Sequence, residues 1–520
     1  MRRIVITLAV LLLSSLACTL TLDDVKPTPI PPTFTPPPSQ TAVAQQASPT
    51  PSPSVQPSST PRPTVTATPT LTPSLTPLPS STPFQQVGLI YDQYGSLEVN
   101  SQLANGLTRP YLSFIYVDDQ ADRLPEGTPA PEVVMEVVYI VPPDGGNRIP
   151  VVELPATTEN SIFWSPTGDY LAYLLRPGPG EDPTTGGLYI LNVRLGITIR
   201  MFDLDTLQPR GIPGHQPVWK PDGTQLAITL PTAYETDIFL LAPDGSSFNN
   251  VTNSPAYDFW PAWSPDGRYL AFVSDRDTCP TWLPGQPNTC DRPDATPPTS
   301  GKLYLLDTQT GQVQKVNDIQ LNSPPHWIND RYIVVTSGIL DPLAGSSDIW
   351  VYDIEAGSSW QLTPNDDALY TGAAWNDDAT QVLYQRAADV TSIVMADRVG
   401  TVTNSTDEYN FPRFGLTADW SPKGDYVAVG GHNGQCPFGL MVYTKDFQLV
   451  SSPSVSVLGC DPLYSPTGNY LAFTGISSAP GQDGRVDIYL SNPSGVGLRS
   501  VTSTLRGPVQ MLGWVGPLPN

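Results

Sequence analysis

Short apolar stretches alternate with polar turns along most of this chain, and one such alternation keeps returning. In its cleanest copy the sequence runs Trp263-Ser264-Pro265-Asp266-Gly267-Arg268-Tyr269-Leu270-Ala271-Phe272. Similar runs begin at Trp164, Trp219, Trp420 and Tyr464, and weaker ones at Trp327 and Trp375. Proline followed by Asp-Gly, Thr-Gly or Lys-Gly supplies a fixed φ and then a φ > 0 position, the chemistry of a tight turn, and the five residues beyond alternate in polarity as a half-buried strand does. The unit is a β-hairpin. A third apolar segment follows, as in Asp237-Ile238-Phe239-Leu240, Asp348-Ile349-Trp350-Val351 and Asp487-Ile488-Tyr489-Leu490, and a fourth ends in Val251-Thr252, Leu362-Thr363 or Val501-Thr502. Nothing in this region sustains the 3.6-residue apolar period of an amphipathic helix.

Copies starting at 164, 219, 263, 327, 375, 420 and 464 lie 44 to 64 residues apart, a period that suits propeller blades better than helical solenoids. A four-stranded repeat cannot bury both of its faces alone, and radial stacking is the arrangement that leaves no long exposed edge. The expected fold is therefore an all-β propeller of four-stranded blades. Its blade number follows from the ends of the chain. Val509-Gln510-Met511-Leu512-Gly513-Trp514 is an aromatic strand with no hairpin partner, while 111–117, 133–141 and 148–153 read as three strands of a blade that lacks its first. Pairing the two ends gives eight blades, which is favoured; if Trp514 instead caps the ring as an outer strand, there are seven.

The stretch from Asn250 to Asp277, which carries Tyr257-Asp258-Phe259-Trp260-Pro261-Ala262-Trp263 and Val273-Ser274-Asp275-Arg276-Asp277, resembles the TolB-like or WD40-like propeller repeats. The resemblance extends from about Gln86 to Asn520. It implies the propeller fold strongly and a function only weakly, because rings of this class serve as protein-docking platforms, as envelope components and as non-catalytic propellers of peptidases.

The amino terminus bears on location. Arg2-Arg3, an apolar run from Ile4 to Leu13 and the small residues before Cys18 have the three sections of an export signal, and the run is too short for a membrane-spanning helix. Ser15-Leu16-Ala17-Cys18 resembles a bacterial lipobox, which implies lipidation of Cys18 and attachment to a membrane through that lipid. The alternative is an ordinary secretory signal with an incidental cysteine. Residues 18–85 are dominated by Thr, Pro and Ser and hold too little apolar surface to offset chain entropy, so they are expected to form a disordered, extended linker. The expected domains are thus a signal at 1–17, a linker at 18–85 and a propeller at 86–520.

Charge narrows the partners. The chain holds 26 Lys+Arg against 49 Asp+Glu, a formal net charge of −23. Arg2 and Arg3 belong to the signal, and Asp23, Asp24, Lys26 and Arg62 cancel in the linker, leaving −25 on the rest. Such a head repels phosphate backbones, so nucleic acid is excluded as a partner. Of the five cysteines, Cys279, Cys290, Cys436 and Cys460 remain once Cys18 is set aside, an even number that suits disulfides in an exported protein. Local pairing, 279–290 and 436–460, is the economical choice among the three pairings. The spacings match no zinc motif.

Catalytic constellations are hard to assemble from this sequence. His215, His326 and His432 are scattered, and no Gly-x-Ser-x-Gly elbow occurs. Asp366-Asp367, Asp377-Asp378 and Asp275-Arg276-Asp277 are compatible with a glycosidase or a Ca2+ site, but turn residues at blade tips give the same letters; no cofactor is expected, Ca2+ being the one candidate. Two segments break the regular blade length, Arg176–Gly186 and Asp275–Ser300. The second carries Trp282, which has no place in the repeat, and is the expected partner-binding loop, with Asp275, Arg276 and Asp277 beside Trp282 as its recognition residues. The functional expectation is a lipid-anchored, non-catalytic platform in the bacterial cell envelope that binds a protein or an envelope polymer. The competing expectation is a propeller enzyme acting on extracellular glycans.

Overall fold

The structure, a computed structural model, describes residues 92–118, 135–155, 162–176, 182–203, 216–232, 234–290, 298–340, 345–406, 416–432, 436, 438–451, 457–478 and 484–518. All of them fall in one compact unit, Pro77–Asn520. The export signal, Cys18, the Thr/Pro-rich stretch and His215 lie outside the described residues.

Eight antiparallel sheets make up this unit, seven with their four strands in chain order and one closed by the last strand of the chain, and one sheet has an added fifth strand. Numbered from the closing blade, blade 1 consists of Val509–Val515, Tyr111–Asp118, Met135–Val141 and Ile149–Pro155, so it draws its innermost strand from the far end of the chain. Blades 2 to 8 begin with the innermost strands Ile162–Trp164, Val218–Trp219, Asp258–Trp263, His326–Trp327, Leu369–Trp375, Thr417–Trp420 and Val457–Tyr464. The expectation of eight blades holds, and the seven-bladed alternative does not. The closing register sets Tyr111 opposite Val515, Leu112 opposite Trp514 and Ser113 opposite Gly513. One element was not foreseen: Asp92–Ser96 pairs antiparallel with Ile197–Asp203 and covers the outer edge of blade 2.

The reason for stacking is visible in the core. Buried apolar side chains form eight clusters, each shared by two neighbouring blades. Leu112, Phe114 and Val141 of blade 1 meet Ala472, Ile488 and Leu490 of blade 8. Ala374, Leu383 and Met395 of blade 6 meet Trp420, Val427 and Met441 of blade 7. No blade owns a core, so each is stable only in contact with two others.

Polar contacts repeat with the same symmetry. The indole N–H of Trp219 donates to the carbonyl of Phe163 at 3.0 Å, Trp263 to Val218 at 3.2 Å, Trp327 to Ala262 at 2.9 Å, Trp420 to Ala374 at 2.9 Å and Trp514 to Leu463 at 3.2 Å. In each case the acceptor is the residue just before the previous blade's anchor. Each such bond contributes about 1 kcal/mol net. Trp164 reaches the Ser113 hydroxyl instead, at 2.8 Å, and the buried Trp375 Nε1 has no hydrogen-bond partner. Inside the blades, the turn serine accepts the backbone N–H five residues on, Tyr170 to Ser165, Tyr269 to Ser264 and Tyr470 to Ser465, while Gly168, Gly223, Gly267, Gly424 and Gly468 take the positive φ the turn requires. The Val-Thr and Leu-Thr endings are explained as well: Thr252, Thr363 and Thr502 hydrogen-bond through their hydroxyls to Asp237, Asp348 and Asp487 on the adjoining third strands.

Because the strand 509–515 completes blade 1, truncation after Pro508 is expected to lower the melting temperature of the whole ring by about 10 °C or more, in a single transition, since it reopens the interfaces with blades 8 and 2 together. Thermal unfolding followed by far-UV circular dichroism measures it. A shift of a degree or two would show that the ring does not depend on this strand.

Candidate functional site

Topology sorts the connections onto two faces. With four antiparallel strands per blade, the turns joining first to second and third to fourth strands emerge at one end, and the connections from second to third strand and on to the next blade emerge at the other. The first end carries compact turns such as 165–169, 264–268 and 308–311. Both length-breaking segments, 176–186 and 275–300, lie between a second strand and a third, so both leave from the second end. Both disulfides sit there too, as sequence economy suggests: Cys279 bonds Cys290, and Cys436 bonds Cys460.

The loop after blade 4's second strand is braced from within. Trp282, half-buried, packs against the apolar cluster shared by blades 4 and 5, meets Tyr257 edge-on with ring centroids 5.2 Å apart, and donates its indole N–H to Asp275 at 2.9 Å. Its backbone N–H donates to the Pro255 carbonyl at 2.7 Å. Asp275 also accepts the Tyr257 N–H at 2.8 Å. Arg276 pairs with the fully buried Asp258 at 2.6 Å and lies over the Tyr304 ring at 4.8 Å. Asp277 is exposed and joins Lys302 at 2.6 Å and Lys315 at 3.1 Å, with Asp318 closing the network. Of the four residues expected to contact a partner, then, Asp275, Arg276 and Trp282 hold the loop in place and Asp277 reaches the surface. The exposed tip is Pro284, Gly285, Pro287 and Asn288.

Beneath this loop lies a group of acids drawn from two blades. Glu235, at the hairpin of blade 3, and Asp258 and Asp275 of blade 4 are all buried; both Glu235 oxygens and Asp258 Oδ1 have no hydrogen-bond partner. Burial pushes the Glu235 carboxyl up to about 7, against a lowering contact from Thr232 and with Asp237 and Asp258 adding to the rise. Burial likewise raises Asp258 to about 6, opposed by Arg276, and Asp275 to about 6, opposed by the Trp282 hydrogen bond. Asp237 is raised by burial too, though it accepts from Asn250, Thr252 and the Ser254 N–H. The Asp258 and Glu235 side chains are sealed from solvent, which makes them a proton-binding feature of the interior and not a surface for substrate.

Sequence reasoning missed two arrangements here. Trp260 adopts φ 55°, left-handed backbone for a bulky residue, at a bulge in the innermost strand of blade 4. The equivalent bulges in blades 6 and 8 place Gly372 at φ 64° and Asp461 at φ 48°. Asp461 in turn orients His432, with Nδ1 to Oδ1 at 2.8 Å, and accepts the Thr474 hydroxyl. Cys460 precedes it, so the second disulfide braces this pair as the first braces the Trp282 loop. A second aromatic beside proline in Phe259-Trp260-Pro261 is the one clue the sequence held.

The innermost strands encircle the ring axis. Immediately before the anchors stand Phe163, Val218, Ala262, His326, Ala374, Asp419, Leu463 and Gly513. His326 keeps solvent contact yet is crowded enough that burial lowers its pKa; burial raises Asp419 to about 7, and its carboxylate accepts the Tyr464 N–H at 2.6 Å. Among the described residues no group of three or more His, Cys, Asp or Glu side chains is arranged to hold a metal ion. Asp366 and Asp378 serve structure: Asp366 pairs with Arg386 at 2.9 Å, and Asp378 caps the turn at Thr380.

The buried acids set a pH dependence. A carboxyl whose folded pKa is raised holds its proton over a range where the unfolded chain has released it, so the contribution of these three groups to stability is full near pH 4 and is lost as pH rises through 6 to 7. The melting temperature is expected to fall between pH 5 and pH 8, and Glu235→Gln is expected to flatten that fall. A profile equally steep in the variant would show that Glu235 does not titrate in this range.

No family model matches the chain. Among curated proteins it is similar to a putative Tricorn-like protease C-terminal subunit from Sulfurisphaera tokodaii, 41% identical over 63 residues, or 12% of this chain and 7% of that one. It is also similar to a TolB homologue from Chlorobium luteolum, 32% identical over 154 residues, or 29% of this chain and 27% of that protein. The chain thus spans less than a third of the length of either. Among solved structures, TolB from Acinetobacter baumannii aligns over 68% of this chain and 81% of its own at 15% identity and a TM-score of 0.30. With its eight four-stranded blades the chain is a β-propeller, and over 154 residues its sequence is similar to that TolB homologue.

Proposed function

We propose that the propeller is a non-catalytic binding platform that docks a protein or an envelope polymer on the face carrying its long connections. The observation that carries this reading is the loop at 275–290: a disulfide, the Trp282–Asp275 hydrogen bond and the Arg276–Asp258 ion pair fix its base while its tip stays exposed. A prearranged loop loses little conformational freedom on binding, which favours affinity. Six of the eight residues that precede the anchors are apolar or small, which supports a platform over a channel enzyme.

Location belongs to the same proposal. Two disulfides suit a protein that matures in an oxidising compartment. The export-type signal ending at Cys18 supports a lipid anchor on the extracytoplasmic side of a bacterial membrane, with the Thr/Pro-rich stretch as spacer. A second reading, a glycan-acting enzyme, draws support from the oriented His432–Asp461 pair, the arrangement by which a carboxylate sets an imidazole for proton transfer.

Replacing Pro284–Asn288 with Gly and Ser at equal length is expected to leave the melting temperature unchanged and to reduce capture of the envelope partner by the immobilised protein at least tenfold. Undiminished capture would place the docking surface elsewhere. Turnover of a glycan by the purified protein, lost in His432→Ala, would replace the platform reading with the enzymatic one.

Cys18→Ser is expected to release the protein from the membrane fraction on centrifugation and to remove the lipid mass from its amino-terminal peptide. Unchanged partition and mass would leave Cys18 without a lipid.

A further inference from the structure

We propose that the pocket at the closing seam, between blades 8 and 1, binds an oxyanion carried on a sugar or other polyol. The pocket has a volume of about 620 Å3, within the usual range of small-ligand sites, and no Asp or Glu is among the residues that line it. That is unusual on a chain of net charge −23. Its charged residues are Arg148 and Arg499.

Several arginines of the ring are matched with acids, Arg268 with Asp307, Arg331 with Asp353 and Arg386 with Asp366, while Arg200 and Arg398 bond single backbone carbonyls. Arg148 instead donates to the Val501 carbonyl at 2.7 Å and the Thr504 hydroxyl at 2.8 Å, and Arg499 to the Pro143 carbonyl at 2.7 Å. These neutral acceptors hold the guanidiniums in place without cancelling their charge, and each guanidinium has five N–H donors, more than these contacts use. Neither arginine is in an ion pair among the described residues. The acid nearest in sequence, Asp144, is already paired with Arg109 at 2.7 Å.

Backbone and hydroxyls complete the recognition. Gly145 stands at φ 105°, and a Cβ there would lie 3.0 Å from Arg499 Nη1, so glycine keeps the approach to that guanidinium open. Asn147, Ser500, Ser503 and Thr504 also line the pocket, and side-chain amides and hydroxyls of this kind bond the hydroxyls of a polyol. Another cavity, about 660 Å3 and lined by Glu98 and Glu153, has the opposite charge and would repel such a ligand.

The site lies at the seam, away from the 275–290 loop, and stands independently of the docking proposal. Its test is isothermal titration of the full-length protein at low salt with inorganic phosphate, glycerol 3-phosphate and glucuronate. Millimolar binding of glycerol 3-phosphate or glucuronate, tighter than that of inorganic phosphate, is expected, and whichever binds better identifies the phosphate or the carboxylate as the natural oxyanion. Arg499→Gln is expected to weaken binding at least tenfold and Arg499→Lys to restore part of it. Asn147→Asp puts a negative charge in the pocket without touching either tether, and is expected to abolish binding with the melting temperature unchanged. Absence of binding to wild type, or binding unaltered in both Arg499→Gln and Asn147→Asp, would overturn the proposal. Inorganic phosphate binding as tightly as the larger probes would overturn its polyol half.

Discussion

The ring depends on one antiparallel pairing, that of Val509–Val515 with Tyr111–Asp118. Each apolar cluster is shared by two blades, so the hydrophobic stabilisation of every blade is realised only when both of its neighbours are in place. An open row of such blades would leave two broad apolar faces in water, one at each end. The strand at 509–515 removes both at once, because it belongs in space to blade 1 while chain connectivity ties it to blade 8. The arginines of the seam reinforce the closure by tethering the segment after Arg499 in blade 8 to the turn between the third and fourth strands of blade 1.

Much of this architecture was legible because a repeat states its own geometry. Trp263, Pro265 and Gly267 recur because most copies use an indole that reaches the previous blade, a fixed φ and a left-handed residue. The blade count was legible through its exception, since an aromatic strand without a hairpin partner at 509–514 must pair with something. What could not be read was the fifth strand of blade 2. Asp92-Gln93-Tyr94-Gly95-Ser96 has no apolar alternation, and it is a strand because the outer edge of Ile197–Asp203 offers unpaired backbone groups, which is a property of the partner and not of the segment.

At the candidate site the residue types were legible and their directions were not. Trp282 lacks a place in the repeat, which marks it as special; whether it faces a partner or the protein depends on Tyr257 and Asp275, which only the fold brings to it. Both disulfides follow from economy of spacing. The acids Glu235, Asp258 and Asp275 come from two blades, and nothing in one dimension joins them. His432 and Asp461 meet for a similar reason: a bulge in blade 8 re-aims a side chain toward the end of a strand in blade 7.

The unequal faces of the ring follow from packing. The turn glycines of blades 3 and 4 lie against the preceding blade so closely that a Cβ on Gly223 would come within 3.0 Å of the Thr167 hydroxyl and one on Gly267 within 2.8 Å of the Lys220 side chain. Turns stacked this way leave no room for extra residues without parting two blades, so that face stays compact. The long connections join second to third strands, and their added length costs chain entropy that grows only slowly with loop length. A disulfide and a buried ion pair at the base then turn one of these long connections from a flexible excursion into a fixed shape. Specific recognition is therefore more easily built on this face than on the other, because it is the face where sequence can vary without disturbing the contacts that close the ring.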